Sequence, residues 1–169
     1  MAGRRVFFSF HYAQDVWRAS NIRNSGQFDA VAAAGWKDAS LWEEAKRKGS
    51  EEICHLIDDG LKNTSVTAVL IGENTASRTW VDYEISESIE RGNGLLGVRI
   101  HNVRDQNKRR SRRGAVPKAL ADQKCHIYDW NASSFGRWVE LAAIESGKPC
   151  LKHNAKDCQR CKFWLRIWS

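Results

Sequence analysis

Hydrophobic positions in this chain fall into short apolar runs separated by stretches of helical period. Residues 4 to 12 read RRVFFSFHY, an aromatic and β-branched run too brief for a helix, so a buried first strand is expected there. Asp15 can then cap a helix reaching about Asn24, with Val16, Ala19, Ile22 and Arg23 on one side and Trp17 beside them. Gly26, Gly35 and Ala32-Ala33-Ala34 break any clear period, and residues 25 to 47 are expected to form a long loop with one short helical turn. Ser50 makes a good N-cap, followed by Glu51 and Glu52. Ile53, Leu56, Ile57 and Leu61 then form the apolar face of a second helix ending near Lys62.

The run from Ser65 to Gly72 predicts a strand buried on both faces, as in a parallel sheet. Ser77 or Thr79 can cap a helix from about Trp80 to Arg91, with Val81, Ile85, Ser88 and Ile89 inward, and Gly92-Asn93-Gly94 stops it. Leu95 to Ile100 and Cys125 to Trp130 read as further strands. Ser133 or Ser134 opens a last helix through about Glu145, with Phe135, Trp138, Val139 and Ala142 inward. Strands alternating with helices require right-handed crossovers and place helices on both faces of the sheet. The expected fold is α/β, a flavodoxin-like three-layer sandwich with a central parallel sheet. Residues 1–146 form its single domain, and 147–169 form a Cys-rich, basic and aromatic tail expected to pack on it through Trp164 and Trp168.

Composition narrows the class. The 169 residues include 8 Trp and 6 Phe against 2 Pro, enough large apolar surface for one folded domain and not a disordered chain. No window approaches the roughly 18 consecutive apolar residues of a membrane span, and Met1 to Arg5 run at once into the first strand, without the apolar region of a signal peptide. A cytoplasmic location without membrane contact is expected, and the five cysteines are expected to be reduced. The net charge of +7 is partly local, because Arg104, Lys108, Arg109, Arg110, Arg112 and Arg113 crowd one segment. A run of this kind is usually a solvated loop, with a phosphate-contacting arm as the sharper alternative; a nucleic-acid partner is not expected.

Candidate chemistry lies beyond the carboxyl ends of the strands, where open α/β sheets bind ligands. Ser9, Phe10, His11 and Tyr12 qualify, as does Trp80 to Glu84. Neither a GxGxxG nor a GxxxxGK[ST] loop is present, so neither a standard Rossmann dehydrogenase nor a P-loop enzyme is supported. Residues four apart share a helix face, so Trp80 and Glu84 should stand one above the other, an aromatic plate beside a carboxylate. An exposed first-turn glutamate favoured by the helix dipole is the plainer alternative from spacing alone.

Three stretches carry a family resemblance: RRVFFSFHY, DASLWEEAKRKGSEEICHLIDDGLKNTSVTAVLIG and TWVDYEISESIERGNGLLGVRI. Together they resemble the TIR-like proteins of the bacterial Thoeris anti-phage system, the ThsB family, over about residues 4 to 101, with a vaguer likeness through residues 126 to 130. The Trp80-Val81-Asp82-Tyr83-Glu84 stretch also resembles the WxxxE arrangement around the catalytic glutamate of NAD⁺-cleaving TIR domains. The resemblance implies a TIR-like fold and an NAD⁺ glycohydrolase or cyclase with Glu84 as its catalytic carboxylate. It also implies a pocket lined by Phe8, Ser9, His11, Asp38, Trp80 and the loop from Asp38 to Trp42. NAD⁺ would be substrate, no cofactor would be needed, and an ADP-ribose-derived nucleotide would carry the signal to an effector after a phage-derived trigger. A homo-oligomer is compatible with this reading.

Blander readings stand beside several of these residues. His11 could be a hydrogen-bonded structural histidine, and Asp38 could cap the short helix holding Leu41 and Trp42. The whole chain could be a non-enzymatic signalling module that works by association. In the tail, Cys150, His153, Cys158 and Cys161 are of zinc-ligand type, but the four-residue middle spacing is shorter than most zinc motifs. Unliganded thiols are therefore favoured over structural zinc.

Overall fold

The computed structural model describes residues 4–25 and 39–146. In chain order they form β1 (Val6–Ser9), α1 (Tyr12–Arg23), α2 (Ala39–Lys48), α3 (Ser50–Leu61), β2 (Val66–Ile71), a 3-10 turn (Thr75–Ser77), α4 (Thr79–Glu90), β3 (Gly94–Arg99), α5 (Lys118–Asp122), β4 (Ile127–Asp129) and α6 (Ala132–Glu145). The strands are parallel, in the order β1-β2-β3-β4. Val6 pairs with Val66, Val66 with Gly94, and Gly97 with Ile127.

Alternation along the strands builds three layers. Val6 and Phe8 of β1, with Val66, Ala68 and Leu70 of β2, face α1 and α6. Phe7 faces α2 and α3, and Val69 and Ile71 face α4 and α5. Every residue of β1 and β2 is buried, as a sheet covered on both faces requires. This is the expected flavodoxin-like sandwich. Among the described residues the strand order does not reverse, so the candidate site lies at the end of β1 and not at a topological switch point.

Several local expectations give way. The first strand stops at Ser9 because Tyr12 already belongs to α1; Asp15 is not its cap but a buried first-turn residue, and His11 holds the N-cap position. Residues 39–48 form a full helix where a loop with one turn was expected, because Trp42 and Ala45 bury themselves against α3. Gly49, at φ 119°, makes the turn into α3, a left-handed conformation that favours glycine, and Ser50 becomes the first helical residue instead of the cap. Arg78 precedes α4 without a side-chain cap, while Asn131 caps α6 by accepting from the Ser134 N–H. Ile89, expected inward, is 38% exposed, since the buried stripe of α4 runs through Val81, Glu84, Ile85 and Ser88. Trp138 is half-buried, stacked on Tyr128 at 4.2 Å and 2°. No helix among the described residues is long and apolar enough to cross a membrane.

Candidate active site

Strand alternation decides which side of the sheet each residue of VFFS addresses. Phe8 points to the α1–α6 side and stacks on Phe135 at 6.1 Å, whereas Ser9, two residues beyond Phe7, points to the α3–α4 side. There Glu84 comes down from the second turn of α4, only 4% exposed. The fully buried Ser9 hydroxyl donates a 2.6 Å hydrogen bond to Glu84 Oε2. The carboxylate is therefore not the solvent-facing first-turn residue that spacing alone allowed.

The backbone behind Glu84 is held by a buried relay. Ser88 Oγ donates to the Glu84 carbonyl at 2.6 Å, which uses its one proton, so the Thr67 hydroxyl must donate to Ser88 Oγ across 2.7 Å. Asn93 Nδ2 in turn donates to Thr67 Oγ1 at 3.4 Å and to Thr64 Oγ1 at 2.8 Å. Each hydroxyl is satisfied by the next, which fixes the rotation of α4 on β2 and with it the position of the carboxylate.

Glu84 lines a cavity of about 260 Å³ together with Phe8, Phe10, His11, Tyr12, Ala13, Trp42, Lys46, Arg78, Trp80 and Val81. Its wall is aromatic: Phe10 stacks on Tyr12 at 6.1 Å, Tyr12 meets Trp42 at 6.0 Å, and Trp80 stands edge-on to Tyr83 at 6.1 Å and 83°. Burial, then the charge of Arg78, then that of Lys46 hold His11 below its ordinary value, against a raising contact with Gln14. His11 Nδ1 lies 3.2 Å from Gln14 Oε1, so it is at once hydrogen-bonded and part of the wall. Tyr83 takes no part in the lining; burial first, then a hydrogen bond with Cys54 and nearby carboxylates, pushes its phenol up to about 12.

Of the residues singled out from sequence, Glu84, Phe8, Phe10, His11, Tyr12, Trp42 and Trp80 meet at one cavity, with Ser9 behind Glu84 through its side chain. Asp38 lies outside the described residues, as do Cys150, His153, Cys158 and Cys161. Among the described residues no group of three or more metal-ligating side chains occurs. Lys46 and Arg78 were missed, since a cation on a polar helix face or before a helix carries no signal of its own.

A larger cavity, about 470 Å³, opens at the amino ends of the strands beside Gly94, Cys125 and His126. No buried carboxylate lines it: Glu145 is exposed and lies 3.1 Å from His126, and burial pushes the Cys125 thiol up to about 11. Size does not make it the better candidate.

The basic segment proves to be built. The Arg18 guanidinium, only 6% exposed, donates to the carbonyls of Val103 (3.0 Å) and Arg109 (3.3 Å) and to Asp105 (3.4 Å), while Ser111 N–H bonds the His101 carbonyl. The cationic side chains stay at the surface.

The family model for the TIR-like domain of the Thoeris protein ThsB matches residues 7–105. The chain belongs to this family. A Bacillus cereus (strain MSX-D12) relative named "Putative cyclic ADP-D-ribose synthase ThsB1" is 42% identical over 149 residues, covering 82% of this chain and 77% of the relative. The family span of this TIR-like chain contains both Ser9 and Glu84, the two ends of the bond that anchors the carboxylate.

Proposed function

We propose that this ThsB-family protein cleaves the bond between nicotinamide and ribose in NAD⁺, with Glu84 as the essential carboxylate. The observation that carries the reading is a buried carboxylate, held by the hydroxyl of Ser9, in the wall of an aromatic cavity. The name of the Bacillus cereus relative supports the same substrate class.

The chemistry needs one carboxylate. When the ribose C1′–N bond breaks, its electron pair goes to the positively charged ring, and nicotinamide departs as a neutral molecule that requires no general acid. The ribose is left oxocarbenium-like, as in glycoside hydrolysis, and a fixed negative charge favours that state over the ground state. Ser9 holds the carboxylate without a formal positive charge of its own, so this contact does not neutralise it in advance. Phe10, Tyr12, Trp42 and Trp80 offer apolar surface for a heteroaromatic ring. Attack on C1′ by water gives ADP-ribose with loss of one proton; attack by a nucleophile of the same molecule gives a cyclic product. In this reading the product is a diffusible signal to an effector, made in response to a phage-derived trigger.

An association module would need no buried carboxylate beside Trp80, and the geometry favours the enzyme. The test is mass-detected chromatography of NAD⁺ incubated with native and Glu84→Gln protein, purified and in lysate of phage-infected cells. Nicotinamide and an ADP-ribose-derived species should appear only with Glu84 intact. Equal cleavage by both proteins would sink the mechanism, and unchanged NAD⁺ in every arm would return the association module.

A further inference from the structure

The cavity is electrically polarised. Glu84 is buried in its wall, whereas Lys46 and Arg78 line it from exposed positions, so the negative charge lies deep and the positive charges lie at the mouth. Arg78 uses its Nε to donate to the Asn74 carbonyl at 3.3 Å and makes no ion pair among the described residues. Lys46 meets Glu43 at 3.0 Å, but both side chains are exposed, and such a pair is weak and easily exchanged for a better anion. That both cations depress His11 places their fields together on this wall.

NAD⁺ has the matching pattern, with a pyridinium cation at one end and two phosphate charges next along the molecule. A cavity of about 260 Å³ is smaller than the roughly 300 Å³ at the low end for drug-sized ligands, so it encloses a ring and its ribose and leaves the rest at the mouth. Entry by the nicotinamide end brings the pyridinium to Glu84 and the diphosphate to Lys46 and Arg78. Entry by the adenine end puts an uncharged base beside the carboxylate and gains nothing from it.

We infer that Arg78 and Lys46 form a diphosphate subsite that orients the dinucleotide with its nicotinamide riboside inward. The inference rests on the NAD⁺ reading above and deepens it. Arg78 presents a planar fork suited to phosphate oxygens, and Lys46 adds a compact charge. Both sit at the surface, so replacing them leaves the core intact.

The test is calorimetric titration of NAD⁺ and of nicotinamide riboside, which lacks the diphosphate, each as its non-cleavable carbocyclic analogue, into protein that keeps the Glu84 charge, so that neither ligand is consumed. The comparison is with the same protein carrying Arg78→Ala, Arg78→Lys or Lys46→Ala. Loss of a charge-assisted contact should raise the Kd for NAD⁺ roughly tenfold in Arg78→Ala and somewhat less in Lys46→Ala. Arg78→Lys should recover part of the loss, and the Kd for nicotinamide riboside should stay put. An unchanged NAD⁺ Kd, equal weakening by Arg78→Lys and Arg78→Ala, or parallel loss of both ligands overturns the subsite. Nicotinamide release from NAD⁺ itself is measured alongside. Binding without release ends the glycohydrolase reading and leaves the subsite standing, and no binding of NAD⁺ ends both.

Discussion

Glu84 and Asp15 are both buried carboxylates on helices beside the carboxyl ends of the strands, at 4% and 1% exposure, yet their surroundings are opposite. Asp15 Oδ1 accepts from the Arg18 guanidinium at 3.3 Å, and its other oxygen is closed off by the backbone of Gly72, where an added Cβ would come within 2.1 Å of it. Burial raises its pKa and the charge of Arg18 opposes the rise, while the same guanidinium ties down the loop through Val103, Asp105 and Arg109. Glu84 has a hydroxyl for its anchor and a cavity beside it. Burial alone therefore does not mark a reactive carboxylate. Asp15 is answered by a cation and sealed, whereas Glu84 is held by a hydroxyl and faces a cavity, the setting that the proposed role requires.

Changes at four positions break or sharpen this comparison. Glu84→Gln keeps an acceptor for Ser9 but removes the charge. Nicotinamide release should fall by about 10³-fold or more with the melting curve nearly unmoved, read by chromatography and thermal denaturation. Arg18→Met strands Asp15 without its cation and releases the loop. A loss of ~3–5 kcal/mol in urea unfolding is expected, and a value under about 1 kcal/mol would contradict the structural role given to this pair. Ser9→Ala leaves Glu84 short of a donor. It should cost ~1–3 kcal/mol of stability and lower turnover about tenfold, whereas Ser9→Thr, which retains the hydroxyl, should recover part of both.

The smallest effect is in pH dependence. His11 is held below 6.5 in the folded chain, so the unfolded chain takes up the proton first. Its contribution to stability is complete above 6.5 and is lost as the pH falls from there through the lowered folded value. Asp15 runs the other way. Its folded pKa is raised above 3.8, so its contribution is complete below 3.8 and is lost as the pH rises through the raised value. Urea melts across pH 4 to 7 should show a flatter acid limb for His11→Asn; an unchanged limb would remove His11 from the balance.

Much of the architecture was legible in the chain. The apolar runs from Ser65 to Gly72 and from Leu95 to Ile100 hold the central parallel strands, the second of which starts and stops one residue earlier, at Gly94 and Arg99, and the stripe through Val81, Ile85 and Ser88 became the inner face of α4. Helix boundaries were less legible, because Gly49 and Asn131 act through backbone conformation and local hydrogen bonds. Trp42 and Ala45 became helical only by meeting α3, a contact that no local period announces. Trp80 and Glu84 could be paired from a spacing of four, and family resemblance singled out the glutamate.

Sequence by itself determined the alternation that forms the three layers, because period is a local property. Only the tertiary structure decided that Ser9 is its anchor, 75 positions away in the chain. It also decided that Asp15 is sealed while Glu84 faces a cavity, and that Lys46 and Arg78 join the same wall. Those relations depend on which ends of β1, α2 and α4 meet in space, and the surroundings of a carboxylate are set by neighbours that the order of residues does not name.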